Sequence, residues 1–448
     1  MNKIRQLWSN LRSSLWFLPS LMVACSGLLA AALIEADSSV TDRWLVRWPR
    51  LFGAGAESAR GMLSTIAGSM MSVVGVTFSM TLVALSLASS QYSSRVLRTF
   101  MGNRATQAVL GIFAGIFTYC LIVLRTIRSG NNAEFVPNLA VFFAFVLALA
   151  GVGGLVFFVH HIASSIQASS IIASVAQETI ETIDRIFPEK LGAGPGEIDE
   201  EPALRSMAER NWRVIPARRT GYIQSVDNAA LLCVARDRKT IVRMERGIGE
   251  FVVQNSALAS LALEDPPDPE TIAALQATFS ISRHRTMEQD AAFGIRQIVD
   301  VALKALSPGI NDTTTAVMCV DYLSAILARL AARRIPSSRR YEEGELRVLT
   351  IGPTFDSLLA ESFDQIRDSA KGNLVIMSRM LDALQTLAGL TVSEPRRRAL
   401  REQARWIGEL AGRTIESAHD RSRIETQLAR VREAIEAERS GSTMRNQQ

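Results

Sequence analysis

Charge is almost missing from one long stretch of this chain. Between residues 62 and 161 only Arg95, Arg98, Arg104, Arg125, Arg128 and Glu134 are charged, and all six fall in gaps between apolar runs. A charge at the centre of a bilayer costs about 2.5–3.5 kcal/mol on insertion scales, so such partitioning marks membrane spans and excludes an ordinary water-covered domain there. Cysteine is scarce as well. Cys25, Cys120, Cys233 and Cys319 are far apart and form no C-x-x-C pair, which excludes a disulfide framework or zinc knuckle. Histidine is limited to His160, His161, His284 and His419. Nothing places any of them beside a serine or cysteine, and adjacent histidines point about 100° apart on a helix. With no nucleophile–base–orienter set, an enzyme is not expected, and neither a catalytic residue, a cofactor nor a metal site is assigned.

The formal charge of +5 and pI of 9.2 suggest at first a basic protein seeking nucleic acid. Residues 1–161 hold 12 basic and 5 acidic residues, a net +7, while residues 162–448 hold 37 and 39, a net −2. The excess therefore sits beside the apolar segments, so the bilayer and not nucleic acid is the expected partner. Four segments have the roughly 20 apolar residues that a span needs, at about 13–34, 62–89, 105–124 and 136–159. The first is about twice as long as a signal-peptide apolar core and reads as a retained anchor. Basic residues do not orient the domain, because six fall on each side. An even number of spans puts both termini together, and a large C-terminal part with unpaired cysteines points to the cytoplasmic face of the inner (plasma) membrane. Trp44 and Trp48, beside Arg43, Arg47 and Arg50, suit a short helix at headgroup level.

The second span carries the most informative pattern. Gly61, Thr65, Gly68, Ser72, Gly75, Ser79, Ser86 and Ser89 follow steps of four and three, broken only by Leu82, which lays small and weakly polar groups along one face. Close helix packing explains such a stripe. A pore lining explains it too, with Arg60 at one mouth and Arg95 and Arg98 beyond the other, where they would concentrate a small anion. One four-helix subunit cannot enclose a channel, so the second explanation requires a homo-oligomer. In the fourth span, Gly151, Gly153 and Gly154 suit close packing or a kink.

The whole reads as an α-helical membrane protein: a four-helix transmembrane domain (1–161) followed by a mainly α soluble α+β domain. The latter comprises a connecting helix (162–191), a linker (192–212), a small β-rich unit (213–269), a helical part (270–438) and a disordered polar tail (439–448). The glycine run 192–196 follows a helix and precedes Glu197, Asp199, Glu200 and Glu201, so it is no phosphate loop. Asp227-Asn228 suits the cap of a short helix, and Gly247 and Gly249 a turn.

Residues Asp290 to Ala316 contain Leu306-Ser307-Pro308-Gly309-Ile310-Asn311-Asp312, which stops one helix and starts another whose cap is Asn311 or Asp312. Asp290, Arg296, Asp300 and Lys304 form alternating charges on the first helix, suited to ion pairing. The helix start would favour a small anion or nucleotide, but Asp312 opposes it, and a subunit interface is the remaining role. Together with Gln91-Tyr92-Ser93-Ser94-Arg95, this block resembles the bacterial multi-spanning membrane proteins of the domain of unknown function 2254 family, over essentially the whole chain. Where many members have proline after the Asn-Asp pair, this chain has Thr313. The resemblance implies a membrane protein and assigns no substrate or catalytic residue.

Apolar residues recur from Phe355 through 384 as one sustained stripe, and again through Leu400–Ala411 and Ile424–Ile435, as in bundle or coiled-coil helices. Arg396, Arg397, Arg398, Arg401 and Arg405 form a basic patch expected on a solvated face, with anionic lipid as the functional alternative. Two functions compete: an oligomeric, anion-conducting channel, and a non-conducting scaffold or sensor that binds a partner through its soluble domain.

Overall fold

The computed structural model describes residues 16–39, 55–91, 104–128, 135–165, 167–188 and 210–445, with the side chains of 38–39, 88–91 and 438–445 left aside. The chain divides into Met1–Ser170 and Ile171–Gln448. The described residues of the first unit form four helices: α1 (Phe17–Ser39), α2 (Ala56–Gln91), α3 (Arg104–Thr126) and α4 (Asn138–Ser165). Each is long and apolar enough to cross a membrane. Their order is imposed by α3, whose Val109, Phe113, Ile116, Tyr119 and Val123 are buried among the other three. Gly111 and Gly115 let α1 approach. A β-carbon on Gly111 would stand 2.6 Å from Met22 Sδ, and one on Gly115 would collide with Ser26 Oγ. Small residues four apart are the usual device for close helix contact in lipid, where hydrophobic burial drives little association. Gly151 of α4 likewise faces Ile116 and Met70, whereas a β-carbon on Gly153 would meet nothing within 4 Å. Tyr119 donates from its hydroxyl to the Ala140 carbonyl at 2.9 Å, which satisfies the polar tip of a fully buried ring.

The second unit takes in α5 (Ala168–Ile186) from Ile171 onward and continues through β1 (Trp212–Pro216), β2 (Gly221–Val226), α6 (Asn228–Asp237), β3 (Val242–Met244), β4 (Phe251–Val252), β5 (Ala257–Ala262), α7 (Pro269–Ala277) and β6 (Phe279–Ser282). It ends with α8 (Ala291–Ala305), α9 (Thr313–Ala331), β7 (Arg339–Glu342), β8 (Glu345–Leu349), α10 (Phe355–Ser369), α11 (Leu374–Ala388), α12 (Glu394–Thr414) and α13 (Ala418–Arg445). Five strands form one sheet in the order β1-β5-β3-β8-β7, and three form another in the order β4-β2-β6. Among the described residues only the β3–β8 pairing is parallel, with Val242 opposite Val348. Ile215, Ile223, Leu231, Val242 and Leu258 make the core under the sheets. Leu323, Leu327, Phe363, Met380 and Leu400 are fully buried among the helices.

Several expectations change. A fifth helix, α9, also passes as a span by length and composition, making five candidates among the described residues instead of four. It belongs to the second unit, where Asp321 pairs with Arg379 and Arg329 with Asp184, and where Cys319, Leu323 and Leu327 face other helices of that unit. The connecting helix is not continuous. Helix α4 ends at Ser165 and α5 starts at Ala168, with Gln167 outside both and its amide donating to the Ser164 carbonyl at 3.4 Å. Helix α5 is part of the second unit, because Thr179 sits on Gly294 and the Thr182 hydroxyl donates to the Met287 carbonyl at 3.0 Å.

The β-rich region extends beyond residues 213–269. Strand β6 pairs with β2, and the β7–β8 hairpin joins the larger sheet from within the part expected to be helical. Glu343 and Gly344, at φ 53° and 80°, make its two-residue turn, the conformation that matches strand twist. Its charged residues, Arg339, Arg340, Glu342, Glu345 and Arg347, mask the alternation that marks a strand. The stripe from Phe355 to 384 is two helices, broken where Gly372 takes φ 73° and Asn373 caps α11 by accepting from the Ile376 amide. Helix α13 runs to Arg445, into the stretch expected as a tail. The Trp44–Trp48 helix, the glycine run and the acidic linker lie outside the described residues.

Candidate functional site

The stripe on α2 points away from its own bundle. The buried positions of this helix are Ala56, Ala59, Leu63, Ala67, Met70, Thr77 and Ala84, whereas Thr65, Gly68, Ser72, Gly75, Ser79 and Ser86 are all exposed. A β-carbon on Gly61, Gly68 or Gly75 would meet nothing within 4 Å. The close packing that such a stripe suggests is therefore absent inside this chain, among the described residues, and is supplied instead by Gly111 and Gly115 of α3. That pair was legible as two glycines four apart in the third span. The outward face of α4 is chemically different, carrying Phe145, Val146, Leu149, Val152, Val156 and Phe157, which suits acyl chains. The hydroxyls of Thr65 and Ser72 donate to the Gly61 and Gly68 carbonyls at 2.8 and 3.1 Å.

Arg60, near the start of α2, has a defined partner. Its Nη2 donates to the Ile127 carbonyl at 2.9 Å, just past the end of α3, where a helix leaves carbonyls unpaired and favours a cation. Asp37, near the end of α1, accepts from the Leu139 amide at 3.4 Å in the first turn of α4. Arg95 and Arg98 lie outside the described residues.

In the second unit the structure places the sequence motif on α8 and α9. Asp290 caps α8, accepting from the Phe293 amide at 3.0 Å. The other carboxylate oxygen accepts from Arg285 Nε at 3.0 Å and Nη2 at 2.8 Å. Asp290 is 5% exposed, and burial raises its carboxyl above the usual range against the pull of Arg285. Gly249, at φ 85°, comes so close that a β-carbon there would stand 3.0 Å from Asp290 Cγ. Arg296 binds Asp300 at 3.0 Å on its own helix, and Glu361 and Gln365 on α10 at 3.3 and 3.0 Å. The ion-paired helix expected here thus also ties α8 to α10. Asp312, not Asn311, caps α9, accepting from the Thr315 amide at 3.0 Å and hydroxyl at 2.6 Å, which holds its carboxyl below the usual range. Asn311 instead turns the chain at φ 50°.

The basic patch is corrected. Arg396 and Arg397 are 2% and 4% exposed, not solvated. Arg396 donates to the carbonyls of Leu330, Ala331 and Arg333 at 3.3, 3.1 and 3.0 Å, closing the C-terminal end of α9, and its guanidinium lies 5.2 Å from the Phe355 ring centre. Arg397 donates to the Thr391 carbonyl at 3.0 Å. Among the described residues no group of three or more His, Cys, Asp or Glu side chains is arranged to hold a metal.

The chain matches the family described as "Predicted membrane protein (DUF2254)" over residues 12–386. An uncharacterized protein of Mycobacterium tuberculosis (strain ATCC 25618 / H37Rv) is 29% identical, over 97% of this chain and 83% of its own length. An uncharacterized protein of Mycobacterium bovis is similar to the same extent. No solved structure matches the chain.

Proposed function

We propose that this chain, which belongs to the DUF2254 family of predicted membrane proteins, is a non-enzymatic protein of the bacterial plasma membrane whose copies meet through the small-residue face of α2 and enclose a path for small anions. The C-terminal unit assembles or gates that path, and both termini lie in the cytoplasm. One observation carries the reading: α2 turns Gly61, Thr65, Gly68, Ser72, Gly75 and Ser79 outward, with no neighbour among the described residues within 4 Å of a β-carbon at Gly61, Gly68 or Gly75. Acyl chains gain nothing from hydroxyls and bare backbone, whereas a second helix or a water-filled axis does. The steps of four and three average 3.5 residues, the period that keeps one seam facing a common axis.

Chloride flux from liposomes tests conduction. The parent protein should empty loaded vesicles, and Ser72→Phe or Ser79→Phe should abolish the flux. Equal leakage with and without protein would remove the channel. The bond of the Thr65 and Ser72 hydroxyls to their own backbone favours a second reading, a dry seam in a non-conducting scaffold or sensor whose soluble unit binds a partner. A scaffold would self-associate through α2 without flux and would lose partner capture when residues 213–335 are altered.

A further inference from the structure

A groove of about 1090 Å³ opens within the C-terminal unit, slightly larger than the usual small-molecule cleft. Its apolar lining includes Val226, Met244, Ile248, Ile335, Ile351 and Phe355. Two arginines that line it, Arg340 of β7 and Arg398 of α12, have no hydrogen-bond or ion-pair partner for their side chains among the described residues. Their neighbours in the same wall are engaged. Arg396 holds the end of α9, and Arg185 donates to the Glu288 carbonyl at 2.7 Å and to the Thr182 hydroxyl at 3.0 Å. Helix α10 also starts in this groove. The Thr354 hydroxyl takes the Ser357 amide and the Thr354 carbonyl takes the Leu358 amide, so the first-turn amides of Phe355 and Asp356 have no acceptor within the helix. Three exposed carboxylates, Glu288, Asp356 and Glu402, complete the lining.

We infer that this groove binds an organic phosphate that carries hydrogen-bond donors of its own. Guanidinium forks and helix-start amides receive phosphate oxygens in geometries that a carboxylate fills less completely. The apolar lining takes the body of the ligand. Glu288, Asp356 and Glu402 accept from its hydroxyl or amino groups and disfavour a bare, multiply charged anion. A soluble phosphate ester and a lipid headgroup share this chemistry. The inference does not depend on conduction through α2.

Calorimetric titration of the full chain in a phosphate-free maltoside detergent tests it, with glycerol 3-phosphate, adenosine monophosphate and a short-chain phosphatidylethanolamine below its micelle concentration as probes. At least one should saturate below about 5 mM, and Arg340→Gln or Arg398→Gln should weaken it about tenfold at unchanged melting temperature. Arg413→Gln, at an exposed arginine paired with Glu409, should change nothing. Saturation by the esters alone assigns a soluble ligand, and saturation by the lipid alone a headgroup. The inference is overturned if none of the three saturates, or if the Arg340→Gln, Arg398→Gln double variant binds like the parent.

Discussion

Gly111 of α3 and Pro19 of α1 stand so close that a β-carbon on the glycine would lie 3.1 Å from the Pro19 Cα. Backbone cannot give way as a flexible side chain can. Gly111→Leu should therefore destabilise the four-helix unit by about 1–3 kcal/mol, measured by unfolding the full chain in detergent. Gly75→Leu, which meets open space in its own chain, should leave that stability unchanged and reduce self-association. A loss of stability from Gly75→Leu as large as that from Gly111→Leu would show that the α2 face is used within one subunit.

Arg396 is expected to behave as a core residue. Truncating it leaves carbonyls at the end of α9 without donors and opens a cavity beside Phe355, so Arg396→Ala should cost about 3 kcal/mol or more. Arg396→Lys should recover only part of this, because one ammonium cannot span the carbonyls that a planar fork reaches. Arg398→Ala, at an exposed residue two positions on, should stay within about 0.5 kcal/mol. Denaturant midpoints of the three variants decide it.

Acid should weaken the C-terminal unit through Asp184. This carboxylate accepts from Arg329 Nε and Nη2 at 2.6 Å each and from Arg333 Nη2 at 2.8 Å, and these donors hold it below its ordinary value of 3.8. A depressed folded value means that the stabilisation is fully present above the unfolded value and is lost as pH falls through the folded one. Asp184→Asn should lower the melting temperature at pH 7 and flatten its fall below about pH 4. Asp290 acts in the opposite sense. Its carboxyl is raised by burial, so the folded state holds that proton more tightly and its contribution grows as pH falls.

Much of the membrane unit was legible because lipid tolerates so few side chains. The placement of six charges in 62–161 predicts three spans, and the apolar run after Lys3, Arg5 and Arg12 predicts the first. The stripe on α2 was visible too, but not its direction, because spacing defines a face and only packing says what the face meets. In the second unit local rules found the helix starts: of Asp227 and Asn228 it is Asp227 that caps α6, and of Asn311 and Asp312 it is Asp312 that caps α9. They failed where tertiary contacts override composition. Arg396 and Arg397 are charged and buried because backbone carbonyls outside their own helix receive them, Ala331 at the end of α9 for Arg396 and Thr391 just before α12 for Arg397. Strands β7 and β8 escaped because charged residues occupy positions that a buried strand fills with apolar ones. Residues 370–373 kept the apolar period of their neighbours while the backbone turned at Gly372.

Disulfide trapping across copies tests the central claim, that α2 presents its small-residue face to a second copy. Cys25, Cys120, Cys233 and Cys319 would first be replaced by serine or alanine, and Ser72→Cys would be compared with Val156→Cys on the aliphatic face of α4, where Val156 is 67% exposed. Oxidation in membranes should give a covalent dimer from Ser72→Cys and monomer from Val156→Cys. A dimer from Val156→Cys with none from Ser72→Cys would contradict the account.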